Sequence, residues 1–197
     1  MSDQQRRADS EDAPLRRCDW ADSTPEYQTY HDDEWGVPLY GENQLFERLT
    51  LEAFQSGLSW LTILRKRENF RAAFANFDIA TVAAFGEADR QRLLADAGII
   101  RNRAKVAAAI NNARAIHDEV PEGLTALLWS FAPKRHRRPK AMSEVAAISD
   151  ESKAMAKELK RRGFAFVGPT TAYALMQATG MVDDHVRYCW RARSAKA

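Results

Sequence analysis

Apolar residues recur at helical spacing through most of this chain, and no long run of β-branched residues alternates at the two-residue period of a strand. That contrast predicts an all-α fold. Leu45, Phe46, Leu49 and Ala53 set one helix, which Gly57 breaks. Trp60, Leu61 and Leu64, then Phe70, Phe74 and Phe77, carry the pattern on. Asp78 is placed to cap a short helix bearing Val82 and Phe85, and Leu93 and Leu94 lead to Gly98. From Arg101 the stripe Val106, Ala109, Ile110, Ala113 and Ile116 predicts a long amphipathic helix. Further helices are expected around 127–131, over 150–162 with a stop at Gly163, from Pro169 to Gly180, and over about 183–190. Phe164, Phe166 and Val167 allow a brief extended segment at most.

With 197 residues, 45% of them hydrophobic, the chain can bury a core as one domain over 15–197. The polar stretch 1–14 reads as a solvated, disordered tail. No segment has the ~20 apolar residues that span a bilayer. Met1 to Arg17 has no apolar stretch of the kind a secretory signal needs, so the cytoplasm is the default location. The net charge of +2 is unevenly spread: residues 1–40 hold ten acids against four bases, and 101–140 hold nine bases against three acids. The basic stretch, which includes the loop PKRHRRPK at 133–140, is either a solvated face or a phosphate-binding surface.

Two cysteines, Cys18 and Cys189, are too few for a four-cysteine iron–sulfur cluster, and a cytosolic disulfide between them is disfavoured. Each has a histidine near it. Cys18 precedes His31 by thirteen positions, and His185 precedes Cys189 by four, which on a helix would point both the same way. Two thiolates and two imidazoles would make a closed tetrahedral zinc site tying the N-terminal segment to the C-terminal one. Spacing alone leaves the other reading open, two buried free thiols.

Asp96 to Lys105 (DAGIIRNRAK) joins two helices through a turn containing Gly98, and places Arg101, Arg103 and Lys105 at the start of the second helix. A helix N-terminus with basic side chains suits a phosphate, and such a contact positions a duplex without reading it. A plain helix–turn–helix connection with solvated arginines gives the same pattern. Upstream, Trp20 to Trp60 is rich in aromatic residues: Trp20, Tyr27, Tyr30, Trp35, Tyr40, Phe46, Phe54 and Trp60. Glu52 falls inside an apolar run there, so it must be exposed, paired or functional. An extruded base needs aromatic faces and a polar group to read its edge, and a cationic purine also gains from a carboxylate. Core packing would equally account for many of these rings.

Taken together, Cys18 to Trp20, Tyr27 to Pro38 (YQTYHDDEWGVP), Leu51 to Phe70, Asp96 to Lys105, Lys160 to Gly168 (KRRGFAFVG) and Asp183 to Cys189 (DDHVRYC) resemble the 3-methyladenine DNA glycosylase I family of the helix–hairpin–helix superfamily. The matching segments occur in the family's order over about residues 16–190. The resemblance implies a monofunctional enzyme, acting as a monomer, that flips 3-methyladenine out of double-stranded DNA and hydrolyses its glycosidic bond. It implies one structural Zn2+ on Cys18, His31, His185 and Cys189, with Glu52 and Tyr30 at the flipped base. Trp20 and Trp60 would stack on or wall the base, and Tyr27 would line the pocket. Gly57 and Leu58 would fill the gap in the duplex, and the hairpin around Gly98, with Arg101, Arg103 and Lys105, would hold the backbone. Where the family often has a small polar residue, this chain has Ala174, and no aspartate follows the hairpin at the position where superfamily members carry one. Three rivals are a non-catalytic helical DNA-binding protein with the same staple, a bifunctional glycosylase/lyase with Lys105 as its Schiff-base lysine, and a helical zinc protein that binds another partner.

Overall fold

The computed structural model describes residues 15–194, with side chains through residue 192. The tail expected over 1–14 lies outside the described residues. Those residues form helices and turns and contain no strand. The helices are α1 (Pro25–Asp33), α2 (Glu42–Gln55), α3 (Trp60–Ala73), α4 (Ile79–Ala83), α5 (Glu87–Ala95), α6 (Arg103–Glu119), α7 (Leu124–Trp129), α8 (Asp150–Arg161), α9 (Pro169–Ala178) and α10 (Trp190–Ser194).

Several boundaries follow from local chemistry. Thr24 and Ser59 accept backbone N–H groups at the starts of α1 and α3. Asp78 Oδ1 accepts the Thr81 N–H, the cap its position predicts. Pro169 opens α9, and Gly163 follows the end of α8 at φ +83°. Glu42, the first residue of α2, caps a different helix: its carboxylate accepts the Leu124 and Thr125 N–H groups at the start of α7.

Helix α2 is the hub. Leu45, Phe46, Leu49, Leu51 and Phe54 are fully buried, and it packs against α3, α6, α7 and α9. From Arg48 to Phe54 every residue is buried, so Arg48 and Glu52 are interior groups one turn apart. Around it, α4 packs on α6 and α8 on α9.

Three expectations need correction. The Phe70–Phe74–Phe77 stripe is not one helix: α3 ends at Ala73, and a 3-10 turn follows with Ala75, Asn76 and Phe77 at positive φ. That turn swings Phe77 back over Phe74, with ring planes 3° apart. Residues 183–189 are not helical either; the helix begins only at Trp190. His185 and Cys189 therefore do not converge by helical spacing. Finally, 164–167 is a tight turn, with Phe166 at φ +58°, and not an extended segment.

This last turn is held from α6. Asn112 donates Nδ2 to the Ala165 carbonyl and accepts the Ala165 N–H on Oδ1, while Asn111 Nδ2 donates to the Gly163 carbonyl. Asn112 is almost wholly buried, so its loss leaves two backbone groups unpaired. Asn112→Ala is expected to cost roughly 2–3 kcal/mol, read as a lowered midpoint in urea unfolding. An unchanged midpoint would mean that water replaces the amide.

Candidate active site

A cavity of about 300 Å³ opens between α1, α2 and α9, lined by Trp20, Tyr27, Tyr30, Trp35, Glu52, Gln55, Trp60, Met142, Ala174 and Gln177. All five of the residues proposed for the base meet in it. Trp20 packs edge-on against Tyr27 (5.5 Å between centroids) and Trp35 (5.2 Å), and Tyr30 lies 5.3 Å from Trp60. Tyr27 is fixed by the Leu61 N–H, which donates to its hydroxyl at 2.9 Å.

Glu52 is 6% exposed, and its carboxyl has no hydrogen-bond partner among the described residues. Desolvation lifts its pKa to about 7 against the pull of the Arg48 guanidinium. Arg48 is itself engaged: it donates to the Tyr30 hydroxyl at 3.2 Å and to Glu34 at 3.2 Å, and Arg67 also clasps Glu34. The cavity therefore offers ring faces and one underused carboxylate, which suits a flat cationic guest.

A second cavity, about 330 Å³, shares Glu52, Gln55 and Ala174 with the first and runs out past Ser56, Gly57, Leu58, Thr170 and Thr171. Gly57 needs its φ of +80°, and an added Cβ would meet nothing, so backbone conformation alone explains it. Leu58 is exposed at the tip of this α2–α3 turn. A larger groove, about 610 Å³, lies between α7 and α8, far from the ring cluster in the fold. Its charges are spent on one another, Arg162 on Glu122 and Glu158, and we place no chemistry there.

The segment around Gly98 is tied to α3: Lys66 Nζ donates to the Ala97 and Gly98 carbonyls, and Asn69 to Gly98. Arg101 and Arg103 are exposed. Two expectations change here. The first N–H groups of α6 are not free, because Asn102 Oδ1 accepts those of Ala104 and Lys105. Lys105 is turned inward and buried, its Nζ donating to the Phe54 and Ser56 carbonyls at 2.9 and 2.5 Å. Two of its three N–H donors are thus taken by carbonyls. It braces the end of α2, and so fixes the Gly57–Leu58 turn to the start of α6. Lys105→Met is expected to destabilise the fold by roughly 1–3 kcal/mol and to leave the salt dependence of DNA binding unchanged. Neutralising Arg101 or Arg103 should lower that slope by about one each. A slope reduced by Lys105→Met would return Lys105 to the phosphate-binding set.

Cys18, His31 and Cys189 come together in the interior, with their ligand atoms all within 4.8 Å of one another. Cys189 Sγ lies 3.4 Å from His31 Nε2. The His185 ring is edge-on to His31 at 4.9 Å, and its Nε2 is buried with no partner. Each imidazole gives its Nδ1 to a carboxylate, His31 to Asp32 at 2.8 Å and His185 to Asp183 at 2.9 Å. Asp32 is gripped by Arg17 and receives Trp190 Nε1–H; Asp183 is gripped by Arg138. Gly36 makes room for this ring: a Cβ there would stand 2.7 Å from His185 Cε1. Beside Cys18 and His31, the Cys189 thiol is held below the usual thiol range, while its neighbour Cys18 is pushed above it.

Sequence reasoning missed Arg48, Gln177 and Met142 as parts of the site. Arg48 carried a signal, since it sits one turn before Glu52 in the same buried stripe.

The chain matches the Methyladenine glycosylase family over residues 20–192. It is 47% identical over 179 residues to DNA-3-methyladenine glycosylase 1 of Escherichia coli, an alignment covering 89% of this chain and 96% of that one. A crystal structure of a 3-methyladenine DNA glycosylase I superposes with a TM-score of 0.85 at 44% identity, over 89% of this chain and 98% of that one. The Staphylococcus aureus enzyme, solved to explain its recognition of 3-methyladenine, superposes at 0.83 with 33% identity, covering 89% and 96%.

Proposed function

Because the chain belongs to the methyladenine glycosylase family, we infer that it is a DNA repair hydrolase that releases 3-methyladenine from alkylated duplex DNA. The observation that carries this reading is Glu52, a buried carboxyl with no hydrogen-bond partner inside a wall of rings. Methylation at N3 makes the purine cationic and weakens its bond to the sugar. The bond breaks with its electron pair going to the purine, which departs neutral, so no strong general acid is needed. Water then adds to the sugar cation and loses a proton. The protein's share is to extrude the base, hold it and exclude bulk water.

The roles follow from placement. The rings of Trp20, Tyr27, Tyr30 and Trp60 receive the base, and Glu52, charged once a cationic guest displaces water, accepts from its edge. Leu58 enters the duplex where the base has left. Arg101 and Arg103, on the turn around Gly98 that forms the hairpin, contact the backbone. On α6, the helix after the hairpin, no buried aspartate is offered to the sugar cation: Asn111 and Asn112 bond the 163–165 segment, and Asp118 is exposed. That suits an enzyme confined to lesions already activated by their own charge. With Lys105 engaged by two carbonyls, the lyase reading loses its nucleophile.

The donor set supports a closed zinc site. Two buried thiols, two histidines oriented by carboxylates through Nδ1, and an unpartnered His185 Nε2 fit a tetrahedral structural ion better than free thiols do. Bound there, zinc would join residues 18 and 31 to 185 and 189 and take no part in the chemistry. We read residues 15–197 as one domain acting as a monomer in the cytoplasm; no helix among the described residues is long and apolar enough to cross a membrane.

The test is base release from methylated duplex DNA, with the product identified by chromatography. Free 3-methyladenine with an intact abasic strand is expected. A protein–DNA adduct trapped by borohydride would instead support the lyase, and binding without release would support the non-catalytic rival.

A further inference from the structure

Gln177, on α9, lines the same cavity as Glu52. Its Nε2 donates to Asp184 Oδ2 at 2.7 Å. Asp184 is buried, and its other partners are donors too: the Tyr173 hydroxyl at 2.9 Å and His136 Nε2 at 2.8 Å. A carboxylate only accepts, so the Gln177 amide cannot flip without setting its oxygen against a carboxylate oxygen. Its NH2 is therefore committed to Asp184. Its Oε1 is left as the free end of the amide, with no partner among the described residues, on a side chain that lines the cavity.

The cavity thus holds two fixed acceptors, the Glu52 carboxylate and Gln177 Oε1. On an N3-methylated adenine the exocyclic amine is the only N–H donor group, whereas a 6-oxo purine places an acceptor at that position. We infer that Gln177 reads the exocyclic amine of the bound base, and that His136, through Asp184, holds the amide in its accepting orientation. The inference rests on the function proposed above. It also gives part of the 133–140 loop a use that its charge did not suggest. His136 and Arg138 face inward, onto Asp184 and Asp183, so the loop buttresses both the base cavity and the cysteine–histidine cluster. His136 is a positioning residue here, and Gln177 a specificity residue.

The test uses the full chain and two free bases, 3-methyladenine and its 6-oxo analogue 3-methylhypoxanthine, with binding read by tryptophan fluorescence. The wild type is expected to favour 3-methyladenine by tenfold or more. Gln177→Met should narrow that ratio about tenfold, mainly by weakening 3-methyladenine, as the loss of one matched hydrogen bond requires. His136→Ala should narrow it about threefold. Equal wild-type affinities overturn the inference with no variant needed. A ratio unchanged in a folded Gln177→Met protein assigns the selection to Glu52 alone, and a uniform loss for both bases in His136→Ala reduces His136 to a structural prop. If methylated duplex still yields 3-methyladenine in those cases, the proposed function stands without the role for Gln177. If it yields none, both fall.

Discussion

Glu52→Gln is expected to lower kcat/KM for 3-methyladenine release by about 10²–10³-fold, the usual loss when a preorganised charge is removed from the reacting centre, and at the same time to make the protein more stable at neutral pH and above. The two effects have one cause. Burial raises the Glu52 carboxyl from near 4.5 to about 7, so between those values the folded state binds a proton that the unfolded state has lost. Stability then falls with rising pH across that window, by ~3 kcal/mol in all, and stays low above it. The glutamine variant has no such slope. Its stability relative to wild type should improve steadily from pH 4.5 to 7 and level off beyond, as read in denaturant titrations at several pH values. Activity should run the opposite way: kcat/KM rises with pH toward a plateau above about 7, because the free enzyme must ionise Glu52 to receive a cation. A glutamine variant with full turnover, or a stability gap that does not vary with pH, would remove Glu52 from the site.

Loss of the proposed zinc is the other large effect. Cys189→Ser should abolish metal binding and destabilise the protein by more than about 4 kcal/mol, the range reserved for loss of a buried network or metal. For a chain of this size that corresponds to a fall of roughly 10 °C in Tm. An orphaned group accounts for part of the magnitude: His185 would keep its carboxylate yet face a dry interior with its Nε2 unpaired. Chelation of the wild type should reproduce the shift, and chelator should do nothing further to the variant. Freshly purified protein that contains no zinc and ignores the chelator would reject the site.

How much of this was legible in the sequence differs by residue. Helices showed where one stripe faced a core, as in α6, and where a cap residue sat at the break, as at Asp78 and Pro169, but the helix that Thr24 and Pro25 open was not expected. The turn at 75–77 was hidden because Phe77 keeps helical spacing from Phe70 and Phe74 while its backbone has left the helix. Glu52 was legible as a carboxylate in an apolar run. Gln177 was not, because its orientation depends on Asp184 and on His136, forty-eight positions before Asp184. The carbonyl contacts of Lys105 were hidden for a related reason. Charge and helix position suggested a phosphate, but its true partners are carbonyls some fifty residues upstream, which composition cannot reveal.

The pairing of the chain's two ends has a consequence for how the protein is made. Trp190 N–H donates to the Arg16 carbonyl, the Tyr188 hydroxyl to Asp19, and the His185 ring packs on Trp35, itself against Trp20. One wall of the receptacle thus leans on residues translated long after it. A nascent polypeptide still short of Cys189 on the ribosome carries Glu52 and every ring of the cage, yet lacks the brace that sets Trp20 and Trp35 against them. Synthesis should therefore yield no competent enzyme until residues 185–190 have emerged, so that activity appears abruptly with that segment instead of growing with length.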